Sequence, residues 1–109
     1  MDKLKVYIAG PYTIGSVGVN VATAIKEAEM VLRSGHIPFI PHMTFFWEML
    51  FPKSYEEWMA YDQEWLLCCD AMIRLPGESK GSDREHCVAL SHGIPVFAST
   101  AEFLKWTLL

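Results

Sequence analysis

The sequence predicts an α/β fold: a small three-layer sandwich on a mostly parallel sheet of four to five strands, with residues 1–109 forming one domain. Three observations predict it. Short β-prone runs alternate with stretches whose apolar residues recur at helical spacing. Glycine, proline or a helix-capping pattern stands at most of the switches between them. The chain is also 51% apolar over 109 residues, enough for a single core without disulfides or metals.

Residues 3 to 9 (Lys-Leu-Lys-Val-Tyr-Ile-Ala) are β-prone and stop at Gly10-Pro11, which reads as a buried strand followed by a loop. Gly15, Ser16 and Gly18 keep the loop irregular. From about Asn20 the apolar positions Val21, Ala24, Ile25, Ala28, Val31 and Leu32 mark a helix that Gly35 ends. Ile37 to Ile40 is a second strand, and His42 to Lys53 is an aromatic stretch without clear period, read as a structured loop or short helix. Ser54-Tyr-Glu-Glu57 is a capping-box pattern opening a helix that carries Trp58, Tyr61, Trp65 and Leu66 on one broad face and ends near Cys69. Ala71 to Leu75 is a third strand, followed by the turn-rich Pro76-Gly-Glu-Ser-Lys-Gly81. Ser82-Asp-Arg-Glu85 is a second capping-box pattern, opening a helix closed by Gly93. Ile94 to Ala98 is a fourth strand, and Thr100 to Leu108 a terminal helix. Alternation of this kind gives an open sheet of the flavodoxin-like or Rossmann-like type, whose ligands bind beyond the carboxyl ends of the strands. Loops 10–18 and 76–82 are therefore where chemistry is expected.

Charge excludes several functions. A net charge of -4 without a Lys/Arg cluster argues against polymeric nucleic acid as a partner, since phosphate backbones require basic patches. No apolar run reaches membrane-spanning length, and the amino terminus lacks the charged-then-apolar layout of a signal peptide, so a cytoplasmic protein without a membrane partner is expected. Cys68, Cys69 and Cys87 form no metal spacing, nor do His36, His42, His86 and His92; no metal and no cofactor are expected. His42 flanks the aromatic stretch, and the other histidines read as helix-end or surface residues. Four Trp, six Phe and four Tyr are a heavy aromatic load for this size, and those between Phe45 and Trp65 must fill a core, line a site or meet another subunit. A homodimer or higher homo-oligomer is expected.

Two loops and two acids could carry chemistry. Gly10-Pro-Tyr-Thr-Ile-Gly-Ser-Val-Gly18 offers backbone N–H groups and hydroxyls at a strand end but matches no phosphate-loop pattern. Ser79, Lys80, Gly81 and Ser82 lead into a helix amino terminus, which favours an anion. Glu85 has two readings: as the third residue of a capping box it bonds back to the Ser82 N–H, and as a free carboxylate it is a nucleophile. If Glu85 is catalytic, Glu85→Ala is expected to abolish turnover and leave the fold intact, with a stability cost of about 1 kcal/mol from the lost cap interaction. Asp62, set among Trp58, Tyr61 and Trp65, is either a solvated outer-face residue or a desolvated acid suited to proton donation.

Taken together, Tyr7-Ile-Ala-Gly10 on the first strand, W-x-x-x-D in a helix, C-D-A-M, and P-G-x-S-x-G-S-x-x-E-x-x-x-A resemble the nucleoside 2-deoxyribosyltransferase superfamily, which includes the 2'-deoxynucleoside 5'-phosphate N-hydrolases. The resemblance covers nearly the whole chain. It implies that Glu85 attacks the anomeric carbon, that Tyr7 orients it, and that Asp62 contacts the base or assists proton transfer. A small-molecule nucleoside or nucleotide is the implied partner, with Gly10, Pro11, Tyr12, His42, Phe45, Ser79, Gly81 and Ser82 around it and Phe45-Phe46-Trp47 available for stacking. Transferases of the family commonly carry an aspartate six residues before the nucleophile, for a free 5'-hydroxyl. This chain has Ser79 there, which with Lys80 suits a 5'-phosphate. The monophosphate hydrolases also carry a serine and an arginine in the first loop, where this chain has Pro11 and Thr13. The expected activity is N-glycosidic cleavage of a (2'-deoxy)nucleoside 5'-monophosphate through a glycosyl-Glu85 intermediate. Base exchange between nucleosides and nucleotide binding without turnover are the alternatives.

Overall fold

A computed structural model describes residues 2–109. Its sheet has four strands, β1 (Lys5–Ala9), β2 (Ile37–Phe39), β3 (Ala71–Arg74) and β4 (Val96–Phe97), in the order β2-β1-β3-β4. All three pairings are parallel, with Tyr7 opposite Phe39 on one side and Met72 on the other. The helices are α1 (Val17–Arg33), α2 (Phe45–Leu50), α3 (Tyr55–Leu67), α4 (Lys80–Ser91) and α5 (Thr100–Thr107), with a 3-10 turn at Pro41–Thr44. This is the expected α/β sandwich.

Strand parity decides which residues reach the site. Successive side chains of β1 point to opposite faces of the sheet. Val6 and Ile8 join Ala24 and Val31 of α1 and Phe103 of α5 in one core cluster. Tyr7 and Ala9 join Leu66 of α3, Met72 of β3 and Ala89 of α4 in the other. Tyr7 is thereby aimed at the layer that also holds Asp62 and Glu85.

Several elements differ from the sequence reading for local reasons. Helix α1 starts at Val17, capped by Ser16, whose hydroxyl accepts from the Val19 N–H at 3.3 Å. Asn20, taken as the start, lies inside the first turn, and its side chain donates to the Tyr12 and Ile14 carbonyls at 2.9 Å each. Such side-chain bonds to the backbone are why asparagine resembles a boundary. On α3 the buried residues are Met59, Asp62 and Leu66, spaced to share a stripe. Trp58, Tyr61 and Trp65 do not face the sheet squarely; Trp65 stacks at the sheet edge on Phe39, while Trp58 and Tyr61 meet Trp47 of α2 edge to face. His36, expected near the surface, is buried; its Nδ1 accepts from the Leu4 N–H at 3.1 Å, and its ring meets Phe103 edge-on.

The second capping box does not form. Helix α4 begins at Lys80, with Ser79 as its cap: the Ser79 hydroxyl accepts from the Ser82 N–H at 3.1 Å. Ser82 is therefore the third helical residue, and Glu85, a further turn on, is out of reach of any cap position. The box at Ser54 and Glu57 does form.

Candidate active site

The carboxyl ends of β1, β2 and β3 open into a cavity of about 350 Å³, within the range of small-molecule sites. Glu85 forms its floor. It is 5% exposed, and its carboxylate accepts a hydrogen bond from the Tyr7 hydroxyl. Burial pushes the Glu85 carboxyl up to about 7, partly offset by the Tyr7 hydrogen bond and then by the charges of Arg74 and Arg84. Burial, followed by the charges of Glu85 and Asp62, holds the Tyr7 phenol well above its ordinary range, so Tyr7 remains a donor throughout the neutral range.

Asp62 lines the same cavity and is 8% exposed. Burial and then the Glu85 charge raise its carboxyl to about 7. The two acids differ in their partners. Glu85 has a hydrogen-bond donor and two cationic neighbours, whereas Asp62 has no such support and its Oδ1 is a buried atom without a hydrogen-bond partner. Where two carboxyls share one desolvated space, the better-supported one ionises first and keeps its neighbour protonated. The arrangement therefore makes Glu85 the first of the pair to ionise and Asp62 the one that keeps its proton longer.

His42 stands across the cavity, in the 3-10 turn that follows β2. Its Nε2 lies 2.9 Å from the Pro11 carbonyl, which can only accept, so Nε2 carries the proton. Nδ1 is left as a bare acceptor, buried and without a partner. Burial lowers its basicity despite the backbone contacts at Pro11 and Gly10, which favours the neutral ring.

The two predicted loops meet here. The Ser79 hydroxyl donates to Ser82 Oγ at 2.9 Å, and Ser82 Oγ donates to the Gly10 carbonyl at 3.0 Å, tying the start of α4 to the end of β1. Gly77 completes the junction with φ +114, and a Cβ there would lie 2.7 Å from Pro11 Cγ. Both strain and collision therefore oppose a side chain. Gly77→Ala is expected to lower stability by roughly 1–3 kcal/mol, read as a fall in the denaturation midpoint.

Of the residues singled out from sequence, Gly10, Tyr12, His42, Asp62, Ser79, Gly81, Ser82 and Glu85 line the cavity, and Tyr7 reaches it through Glu85. Pro11 and Phe45 are not on its wall. Pro11 acts from behind, holding His42 and abutting Gly77, and Phe45 meets Phe46 edge to face. Thr44, the last residue of the 3-10 turn, and Glu48 of α2 stand on the wall instead of Phe45.

Sequence reasoning missed the cavity's far side. Glu48 accepts from Trp58 Nε1 at 3.0 Å and from the Lys53 N–H at 2.8 Å, and these bonds, in that order, hold its carboxyl below the ordinary range. Lys53 lies over the Trp47 and Trp58 rings at 5.8 and 5.7 Å. Contacts between residues 10 apart on different elements leave no periodic trace. Among the described residues, no group of three or more His, Cys, Asp or Glu side chains could hold a metal ion. No helix there is long and apolar enough to cross a membrane.

A family model described as a domain of unknown function, DUF4406, matches residues 4–98. No curated protein matches the sequence. Among solved structures, the 2-deoxyribosyltransferase of the psychrotolerant bacterium Bacillus psychrosaccharolyticus is similar in fold, with a TM-score of 0.57 and 22% identity over 84% of this chain and 69% of that one. The chain thus belongs to the DUF4406 family, and it shares the parallel α/β fold of that solved structure.

Proposed function

We propose that this protein is an N-glycosidase that cleaves the base–sugar bond of a (2'-deoxy)nucleoside 5'-monophosphate through a covalent glycosyl-Glu85 intermediate. The observation that carries the reading is the unequal pair of buried acids in one cavity, Glu85 held by Tyr7 and Asp62 left without support. In the first step the Glu85 carboxylate attacks the anomeric carbon; the C–N bond breaks, and the proton of Asp62 goes to the departing base nitrogen. In the second, Asp62 takes a proton from water, whose oxygen attacks the same carbon and frees Glu85. This is the retaining glycosidase scheme with a nitrogen leaving group. The 2-deoxyribosyl transfer named for the structural neighbour uses the same bond.

The amino terminus of α4, with Lys80 and Gly81 on the cavity wall, offers a charge and N–H groups to a 5'-phosphate. One observation favours the second reading, base exchange between unphosphorylated nucleosides. Glu78 also lines the cavity next to Ser79, and the Ser79 hydroxyl is already engaged in capping. A carboxylate there suits a 5'-hydroxyl better than a phosphate.

Incubation with the four deoxynucleoside 5'-monophosphates and chromatography of the products tests the proposal. Free base from at least one, without added acceptor, is expected. Product only when a second base is present would establish transfer, and tight binding without product would leave a nucleotide-binding module. Intact mass after brief exposure to a 2-fluoro sugar analogue should show one added sugar, mapped to Glu85.

We also propose that a second copy of the chain covers α2, whose Phe46 and Leu50 are 72% and 75% exposed. Sedimentation should give at least a dimer, and Phe46→Asp should shift it to monomer. Three free cysteines suit a reducing cytoplasm as the place of action.

A further inference from the structure

Arg74 attracts no notice in the sequence, yet it sits where β3 hands the chain to α4. Its side chain is only 14% exposed. Parity sends it to the α3/α4 face of the sheet, since its neighbours Ile73 and Leu75 belong to the opposite cluster. There the guanidinium donates to the Leu75 carbonyl, to the Gly77 carbonyl at 2.9 Å, and to Asp83 Oδ1 at 3.0 Å. One planar group thus holds the end of β3, the apex of the loop and the opening turns of α4. The Asp83 arm is 71% exposed and contributes little, as solvated ion pairs do. The two carbonyl bonds are made by a side chain that is mostly buried, and they fix the loop whose Gly77 abuts Pro11.

We propose that Arg74 is a positioning residue for the nucleophile: it clamps the 75–79 loop to α4 and fixes a positive charge at Asp83, two residues before Glu85 on the same helix. The inference rests on the reading of Glu85 as nucleophile, and it concerns how that acid is kept ready. A fork of N–H donors on a buried cation does two things that a neutral residue cannot do together. It satisfies carbonyls that a tight turn leaves without helix or sheet partners, and it counters the desolvation of a nearby carboxylate. Held on the same face of the sheet and bonded to Asp83 on the helix that carries Glu85, the Arg74 cation favours the ionised form of that carboxyl. The other titratable groups around Glu85 are Tyr7 from β1, Asp62 from α3 and Arg84 from its own helix, with His42, Glu48, Glu78 and Lys80 around the cavity. Arg84 also lowers the Glu85 carboxyl, and like Arg74 it is paired with an exposed acid, but its side chain is 46% exposed against 14% for Arg74, which leaves Arg74 as the more enclosed cation.

The test compares Arg74→Gln and Arg74→Lys with wild type by two measurements. One is the acid limb of kcat/KM against pH. The other is the titration of the Glu85 side chain in the resting protein, followed by carboxyl-carbon NMR, which needs no turnover. In Arg74→Gln both should move up by a few tenths to about one pH unit, with roughly a tenfold loss of kcat/KM at neutral pH. In Arg74→Lys the titration should stay at its wild-type position while hydrogen-exchange protection of the 77–82 amides falls, because charge is retained and the fork is lost. An unmoved Glu85 titration in Arg74→Gln would overturn the proposal and leave a loop brace only. If Arg74→Gln does not fold, a rise of a full unit in Arg74→Lys overturns it equally. Should wild type release no base from any substrate, the proposed function fails, and the NMR titration still shows whether Arg74 governs Glu85.

Discussion

Glu85→Gln should lose base release by a thousandfold or more while gaining stability at neutral pH. The first part follows from the role: Gln keeps the shape and an acceptor for the Tyr7 hydroxyl but cannot bond to an anomeric carbon, and removing a covalent nucleophile commonly costs at least this much. The second follows from the charge. The Glu85 carboxyl is raised to about 7 in the folded protein, mainly by burial. Between the ordinary carboxylate range and that value the folded chain binds more protons than the unfolded one, so stability falls as pH rises through the window. Above it the full cost of a buried carboxylate remains, on the order of 3 kcal/mol. Gln carries no such cost. Melting curves of wild type and Glu85→Gln should therefore lie close at pH 4 and separate toward pH 8, the variant being the more stable. This reverses the loss of about 1 kcal/mol expected of a capping glutamate, because Glu85 makes no cap bond. A variant that is less stable at every pH would show that its side chain is structural.

The pH profile of kcat/KM should be a narrow bell centred near 7, and Asp62→Asn should remove its alkaline limb. Both acids titrate close to 7, so the active form, Glu85 ionised and Asp62 protonated, is populated only over a short interval. Rate rises as Glu85 loses its proton and falls as Asp62 loses its own. The limbs belong to the coupled pair, and their spacing reports the repulsion between the two charges. Asn at position 62 is neutral, as Asp62 is when Glu85 ionises, so the acid limb should stay in place. The rate at the optimum should fall about a hundredfold or more, the usual worth of a placed general acid. An Asp62→Asn enzyme with an unchanged bell would move the acid role elsewhere.

Much of the fold was legible because its elements are locally consistent. The run ending at Gly10-Pro11, the α1 period and the Ser54 box each carry their own signal. The site was legible by parts. Ser82-x-x-Glu85 is the same string whether glutamate caps its helix or faces a ligand, and what decides is which serine caps the helix. Ser79 does, one turn earlier, and no local pattern ranks the two. Asp62 is ambiguous for a related reason: its aromatic neighbours in sequence look like a core, but the buried stripe of α3 is Met59, Asp62 and Leu66. Arg74, Glu48 and Lys53 were invisible, since each acts through contacts that only the folded loops create.

The placement of Tyr7 at the middle of β1 makes the reading frame of that strand a catalytic variable. Deleting or inserting one residue ahead of Tyr7 in β1 would swap the two faces of the strand, turning the phenol toward α1 and an aliphatic side chain toward Glu85. The sheet tolerates apolar groups on either side, so such a slip could leave a folded protein with its nucleophile undirected. Turnover, rather than folding, is what distinguishes the correct alignment of this strand from its nearest error.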